Sequence, residues 1–110
     1  MARLATGIWV SAYLMRLSQQ GIHAHVVRKG DGTAGAVAVK VACMNGRASF
    51  FTRGYRADGR IGWQAQIEDA EEAVVDAALA RQRGYDPDLW VVEVEDPHGR
   101  HMLDAPGLEE

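Results

Sequence analysis

Arg47, Ser49, Phe51, Arg53 and Tyr55 recur at every second position, and Arg56 and Arg60 follow them closely. On an extended strand that alternation places the first five side chains on one face. Guanidinium groups mixed with aromatic planes can hold phosphate and stack bases. The candidate contact set for an anion or nucleic acid is therefore Arg47, Phe51, Arg53, Tyr55, Arg56 and Arg60. The competing reading is a solvated sheet face whose arginines meet acids elsewhere in the chain.

Other chemistries find less support. His23 and His25 stand two apart and project from the same side of an extended segment, whereas His98 and His101 flank a turn. Histidine is the commonest metal ligand and general base, yet a catalytic metal needs about three protein ligands and a structural one about four. Spacing fixes no third ligand, so no metal is expected. Ser11, Ser18, Ser49 and Cys43 lie in no glycine elbow that would present a nucleophile. Cys43 sits among Val41, Ala42 and Met44, which favours a small buried hydrophobe. The run Lys29-Gly30-Asp31-Gly32-Thr33-Ala34-Gly35 is glycine-rich, but it lacks the Gly-Lys-Ser/Thr ending of a phosphate loop. It reads as a connection between strands. No catalytic residue and no cofactor is assigned.

Charge sharpens the arginine question. Residues 1–60 carry nine Lys and Arg against Asp31 and Asp58, a net +7, and residues 61–110 carry three Arg against thirteen acids, a net −10. Either the molecule is electrically polarised and faces an acidic partner, or the two halves neutralise each other. With 47 % hydrophobic and 25 % charged residues, the composition is that of a globular domain. One cysteine rules out an internal disulfide, and neither a signal-like start nor a bilayer-length apolar run is present. A soluble cytoplasmic protein with no membrane role is expected.

The elements that must position these residues follow from periodicity. Trp9, Tyr13 and Leu17, with Val10 and Leu14, make one apolar stripe on a first helix capped by Thr6 or Ser11 and stopped at Gly21. Strands are expected over residues 25–28 and 34–44, the second with Val37, Val39 and Val41 on one face and Ala36, Ala38, Lys40 and Ala42 on the other. Asn45-Gly46 predicts a two-residue hairpin turn with positive φ at both positions, leading to a strand at 47–53. A fourth strand, 60–67, alternates Ile61, Trp63, Ala65 and Ile67 with polar residues and Gly62, which predicts a one-sided buried face. Asp69 is the expected N-cap of a second helix to about Arg83, and residues 89–95 form a last strand with Trp90, Val92 and Val94 inward.

The order helix, four strands, helix, strand implies an α+β domain over residues 1–103: a mostly antiparallel sheet of about five strands, with both helices on one face. Residues 104–110 are expected to fray. A similar order occurs in the cores of many metal-dependent nucleases, which resemble one another in an acid two residues before a strand lysine. Here the only strand lysine is Lys40 and Ala38 stands two before it, so that motif is broken.

The segments Ala2–Val10, Gly30–Val37 and Arg81–Asp96 resemble a family of short, uncharacterised bacterial proteins classed as a domain of unknown function. The resemblance spans nearly the whole chain and implies no activity, cofactor or catalytic residue. The leading expectation is a small non-enzymatic binding or protein-interaction domain, with a protein partner or a second copy as its occupant. A nucleic-acid-binding module on the arginine face is the alternative, and an enzyme assembled from distant strands is the third reading.

Overall fold

The protein is described by a computed structural model covering residues 4–55 and 57–104. Seven elements run in the order α1 (Thr6–Gln19), β1 (His23–Arg28), β2 (Val37–Ala42), β3 (Arg47–Tyr55), β4 (Ile61–Glu71), α2 (Glu72–Tyr85) and β5 (Trp90–Glu95). The strands form one sheet in the order β1-β5-β2-β3-β4. Only β2 and β5 run parallel; the other three pairings are antiparallel. An α+β fold with a mostly antiparallel sheet and the expected element order is thus what the chain adopts.

The helices do not share a face. Val37, Val39 and Val41 of β2 join Val92 and Val94 of β5 beneath Trp9, Tyr13 and Leu17 of α1. The intervening Ala38, with Val91 and Phe50, packs instead against Val75, Ala78 and Leu79 of α2. Every residue of β2 is accordingly buried. Ala38, expected on an outer face, is therefore covered by the second helix, whereas Ala36 is exposed. Each fully buried Leu- or Val-sized side chain contributes about 1.5–3 kcal/mol by leaving water, so both clusters are needed to hold the central strands.

The one-sided reading of β4 also needs correction. Phe50 pairs with Ile67 and the next residue, Phe51, pairs with Ala65, so the register slips at Gln66. That irregularity changes the side on which the strand presents its side chains. Trp63 packs on the α1 side and Ile67 on the α2 side. Trp9 and Trp90 are buried as expected, whereas Trp63 is half-buried.

Neither helix is capped by a side chain. The Thr6 and Gly7 amides of α1 donate to the Thr33 and Gly32 carbonyls at 3.2 and 2.9 Å, and the Glu72 amide of α2 donates to the Gly46 carbonyl at 3.0 Å. Tertiary carbonyls thus satisfy donors that helix ends leave open. Asp69, the expected cap, lies inside β4 at φ 46°. The 43–46 connection also differs from a two-residue turn: Met44 and Gly46 take positive φ, and the Cys43 amide donates to the Arg47 carbonyl at 3.1 Å. Cys43 itself is only partly buried. Of the tail expected to fray, residues 105–110 lie outside the described residues.

Candidate functional site

The 29–36 connection is a hub. The Asp31 amide donates to the Asp88 carbonyl, and the Asp31 carboxylate accepts from the Thr33 and Ala34 amides at 3.2 and 2.8 Å. The indole N–H of Trp90 donates to the Asp31 carbonyl at 2.7 Å, and the Thr6 hydroxyl donates to the Gly35 carbonyl at 2.8 Å. Gly30 and Gly35 permit this closeness: a Cβ on either would stand 2.0 or 2.4 Å from the Asp88 carbonyl oxygen. The start of α1, the glycine-rich connection and the turn before β5 therefore meet at one point.

Beside this hub lies a cleft of about 530 Å³. Its walls are the start of α1, the 33–37 segment and the ends of β3 and β4, and they present Trp9, Trp63, Tyr55, Arg53, Thr6 and Thr33. Trp9 stacks on Tyr13 at 5.0 Å between ring centroids and meets Trp63 at 5.3 Å. The Trp9 indole N–H is buried and has no hydrogen-bond acceptor among the described residues. Tyr55, 77 % exposed, stands at the rim. No carboxylate, imidazole or thiol lines the cleft among the described residues.

The arginine set is divided by the fold. Arg47 is occupied at a second register shift of β4, between Ala70 and Ile67: its Nε donates to Asp69 Oδ1 at 2.6 Å and its Nη2 donates to the Asp69 carbonyl. The Asp69 amide in turn donates to Ser49 Oγ at 2.9 Å. Phe51 packs under α1 with its ring 4.7 Å from that of His101. Arg60 is exposed, and its amide donates to the Asp58 carboxylate at 3.0 Å. Arg56 lies outside the described residues. Of the six, Arg53 and Tyr55 reach the cleft.

A second cleft, of about 590 Å³, lies on the α2 face beside Lys40, Asp76, Glu93, Arg28 and Arg83. Its charges are matched internally. Lys40, 4 % exposed, places Nζ 2.8 Å from Glu72, 2.8 Å from Asp76 and 3.4 Å from Glu93. Burial alone would lower the Lys40 pKa, but hydrogen bonds to Asp76 and Glu72 and the nearby Glu93 charge outweigh it and raise the pKa. Arg83 Nη2 donates to the Lys29 and Pro87 carbonyls at 3.0 and 3.3 Å. The acids of the C-terminal half thus meet both faces: Glu72, Asp76 and Glu93 surround the strand lysine, while Asp69 meets Arg47 of the arginine set.

Two further groups anchor the chain after β5. Asp96 accepts from the Arg100 amide and guanidinium at 2.8–3.1 Å, and these bonds hold its carboxyl down to about 2. His101 is half-buried, and burial lowers its pKa. Its Nδ1 accepts from the Leu103 amide at 3.0 Å, while its carbonyl accepts from the Tyr13 hydroxyl at 2.7 Å.

Sequence reasoning missed the tryptophan walls, reading both rings as plain core. It also missed the hub, which depends on contacts as far apart as residues 31 and 90. A signal was present: the segments carrying the family resemblance are the three that converge there.

A family model described as "Protein of unknown function (DUF1491)" matches residues 4–104. The chain is similar to a DUF1491 family protein from Caulobacter crescentus CB15 solved by crystallography, with 44 % identity, a TM-score of 0.83 and coverage of 92 % of this chain and 95 % of that one. An NMR structure of a DUF1491 family protein from the same organism matches with 43 % identity, a TM-score of 0.80 and 94 % coverage of both chains. The solution structure of protein Atu0922 from A. tumefaciens matches with 29 % identity, a TM-score of 0.74 and 86 % coverage of both chains. No curated protein matches.

Proposed function

The chain belongs to the DUF1491 family of proteins of unknown function, and from that premise we propose that it is a non-enzymatic binding domain whose cleft takes a small planar organic anion. The observation that carries this reading is the lining itself: Trp9, Trp63 and Tyr55 supply aromatic surface beside the Arg53 guanidinium, without a side-chain acid, imidazole or thiol among the described residues. A volume of about 530 Å³ suits a small molecule. Flat rings favour a planar apolar body, and a guanidinium favours a carboxylate or phosphate at its edge. Thr6 and Thr33 add hydroxyls that can orient the ligand.

An extended nucleic-acid strand suits the site less well. Arg47 and Phe51 point to other parts of the fold, and of the candidate set Arg53 and Tyr55 line the cleft, an arrangement scaled to one ring and one charge. The absence of a helix long and apolar enough to cross a membrane among the described residues, together with a lone cysteine, favours a bacterial cytoplasmic setting.

Quenching of tryptophan fluorescence by aromatic carboxylates and aromatic phosphates tests the reading. Saturable quenching is expected, weakened at least tenfold in Arg53→Gln and in Trp63→Ala. No quenching at millimolar ligand, or quenching indifferent to both substitutions, would contradict it.

A further inference from the structure

His23 and His25 project from the same side of edge strand β1, as alternation requires, and the antiparallel register sets His23 directly opposite Glu95 of β5. The structure thereby supplies the third group that spacing alone did not fix. His23 Nε2 lies 3.6 Å and His25 Nδ1 3.7 Å from the same oxygen, Glu95 Oε1, and the three donor atoms all lie within 4.8 Å of one another.

We propose that His23, His25 and Glu95 form a three-ligand surface site for a divalent transition-metal ion of the zinc class. Donors held at about 2.0–2.1 Å from a tetrahedral zinc stand roughly 3.3 Å apart. Both histidine–glutamate separations are within a few tenths of an ångström of that spacing, and the histidine–histidine separation, within 4.8 Å, is adjustable by rotation of the two exposed imidazoles. Two imidazoles and one carboxylate suit zinc, nickel or copper, whereas calcium and magnesium prefer all-oxygen sets. Water would fill the remaining positions.

Neighbouring groups leave these three available. Glu93, opposite His25, is engaged with Lys40 at 3.4 Å, and Arg28 at the far end of β1 donates to the Val27 carbonyl at 3.1 Å. Glu95 faces the two imidazoles. The ion would clamp edge strand β1 to β5, away from the aromatic cleft, so this site stands or falls independently of the proposed ligand.

The test is calorimetric titration of the full chain, purified without a polyhistidine tag and stripped with a chelator, with Zn²⁺ at pH 7.5. One ion per chain is expected, with affinity falling at least tenfold in His23→Ala, His25→Ala and Glu95→Gln. The imidazoles are 72 % and 48 % exposed, so these substitutions leave the fold intact, which circular dichroism checks. His98→Ala, at an exposed turn residue outside the cluster, should bind as the parent does. Mg²⁺ should give no saturable heat. Absence of Zn²⁺ binding at 1 mM (about the weakest affinity worth calling a site,), or affinity unchanged in all three variants, would overturn the proposal.

Discussion

The two faces of the sheet are built from the same strands by opposite means. Beneath α1, Val37, Val39 and Val41 meet aromatic rings, and stabilisation comes from surface removed from water. Beneath α2 the alternate residues of the same strand include Lys40, and its ammonium is held by three carboxylates. α2 buries only Val75, Ala78 and Leu79. Burying a lone charge costs far more than such a short apolar stripe returns, so Lys40 must be paired to be tolerated. On the α2 face buried charge is enclosed by carboxylates, while on the α1 face the cleft is walled by aromatic rings with Arg53 at its lining.

The largest way to disturb this contrast is Trp90→Ala, which empties the α1-side core and removes the bond to the Asp31 carbonyl. A loss of about 3–5 kcal/mol in urea unfolding is expected, and high salt should not restore it. Lys40→Ala attacks the other face. Removing one partner of a fully buried pair costs about 3–5 kcal/mol, but Glu72 and Asp76 keep 40 % and 58 % side-chain exposure and can rehydrate. About 2 kcal/mol is therefore expected after that discount. Salt should recover part of this loss, because ions screen the facing carboxylates. Equal salt responses in the two variants would mean that both faces are held by the same kind of interaction.

Acid should act on the α1 side through the segment after β5. Burial depresses the His101 pKa below its ordinary 6.5, so the stability it contributes is complete above that value and declines as pH falls below it. Protonation would also remove the Nδ1 acceptor of the Leu103 amide. The Asp96 contribution is complete above its ordinary 3.8 and is lost as pH falls towards about 2. Melting followed from pH 8 to pH 3 should therefore show a first decline below about 6.5, absent in His101→Asn. The smallest effect belongs to the exposed pair: Arg47→Ala should cost at most about 1 kcal/mol, and a larger loss would mean that Asp69 depends on it more than surface ion pairs allow.

Much of the fold was legible because periodicity is local. The α1 stripe of Trp9, Tyr13 and Leu17, the alternation of β2 and the inward phase of Trp90 all follow from residues a few positions apart. The faces of the helices were not, because Ala36, Ala38 and Ala42 look the same whether they meet solvent or a closely packed helix. The β4 register slip was hidden by the regularity of Ile61, Trp63, Ala65 and Ile67. At the candidate site, Arg53 and Tyr55 were legible from their alternation, but the rings beside them read as core. Glu95 could not be joined to His23 and His25 because no local signal says that β5 pairs with β1.

On the proposed function, the α1-side cleft, and not the charged α2 face, receives the ligand. The most direct test is a ¹⁵N-labelled amide spectrum of the full chain titrated with aromatic carboxylates and phosphates. Saturable shifts should gather at Thr6, Thr33, Gly35, Arg53, Gly54 and Trp63, which line the cleft. Shifts centred on Lys40, Asp76, Ala80 and Glu93 of the other face, or no shifts at millimolar ligand, would contradict it.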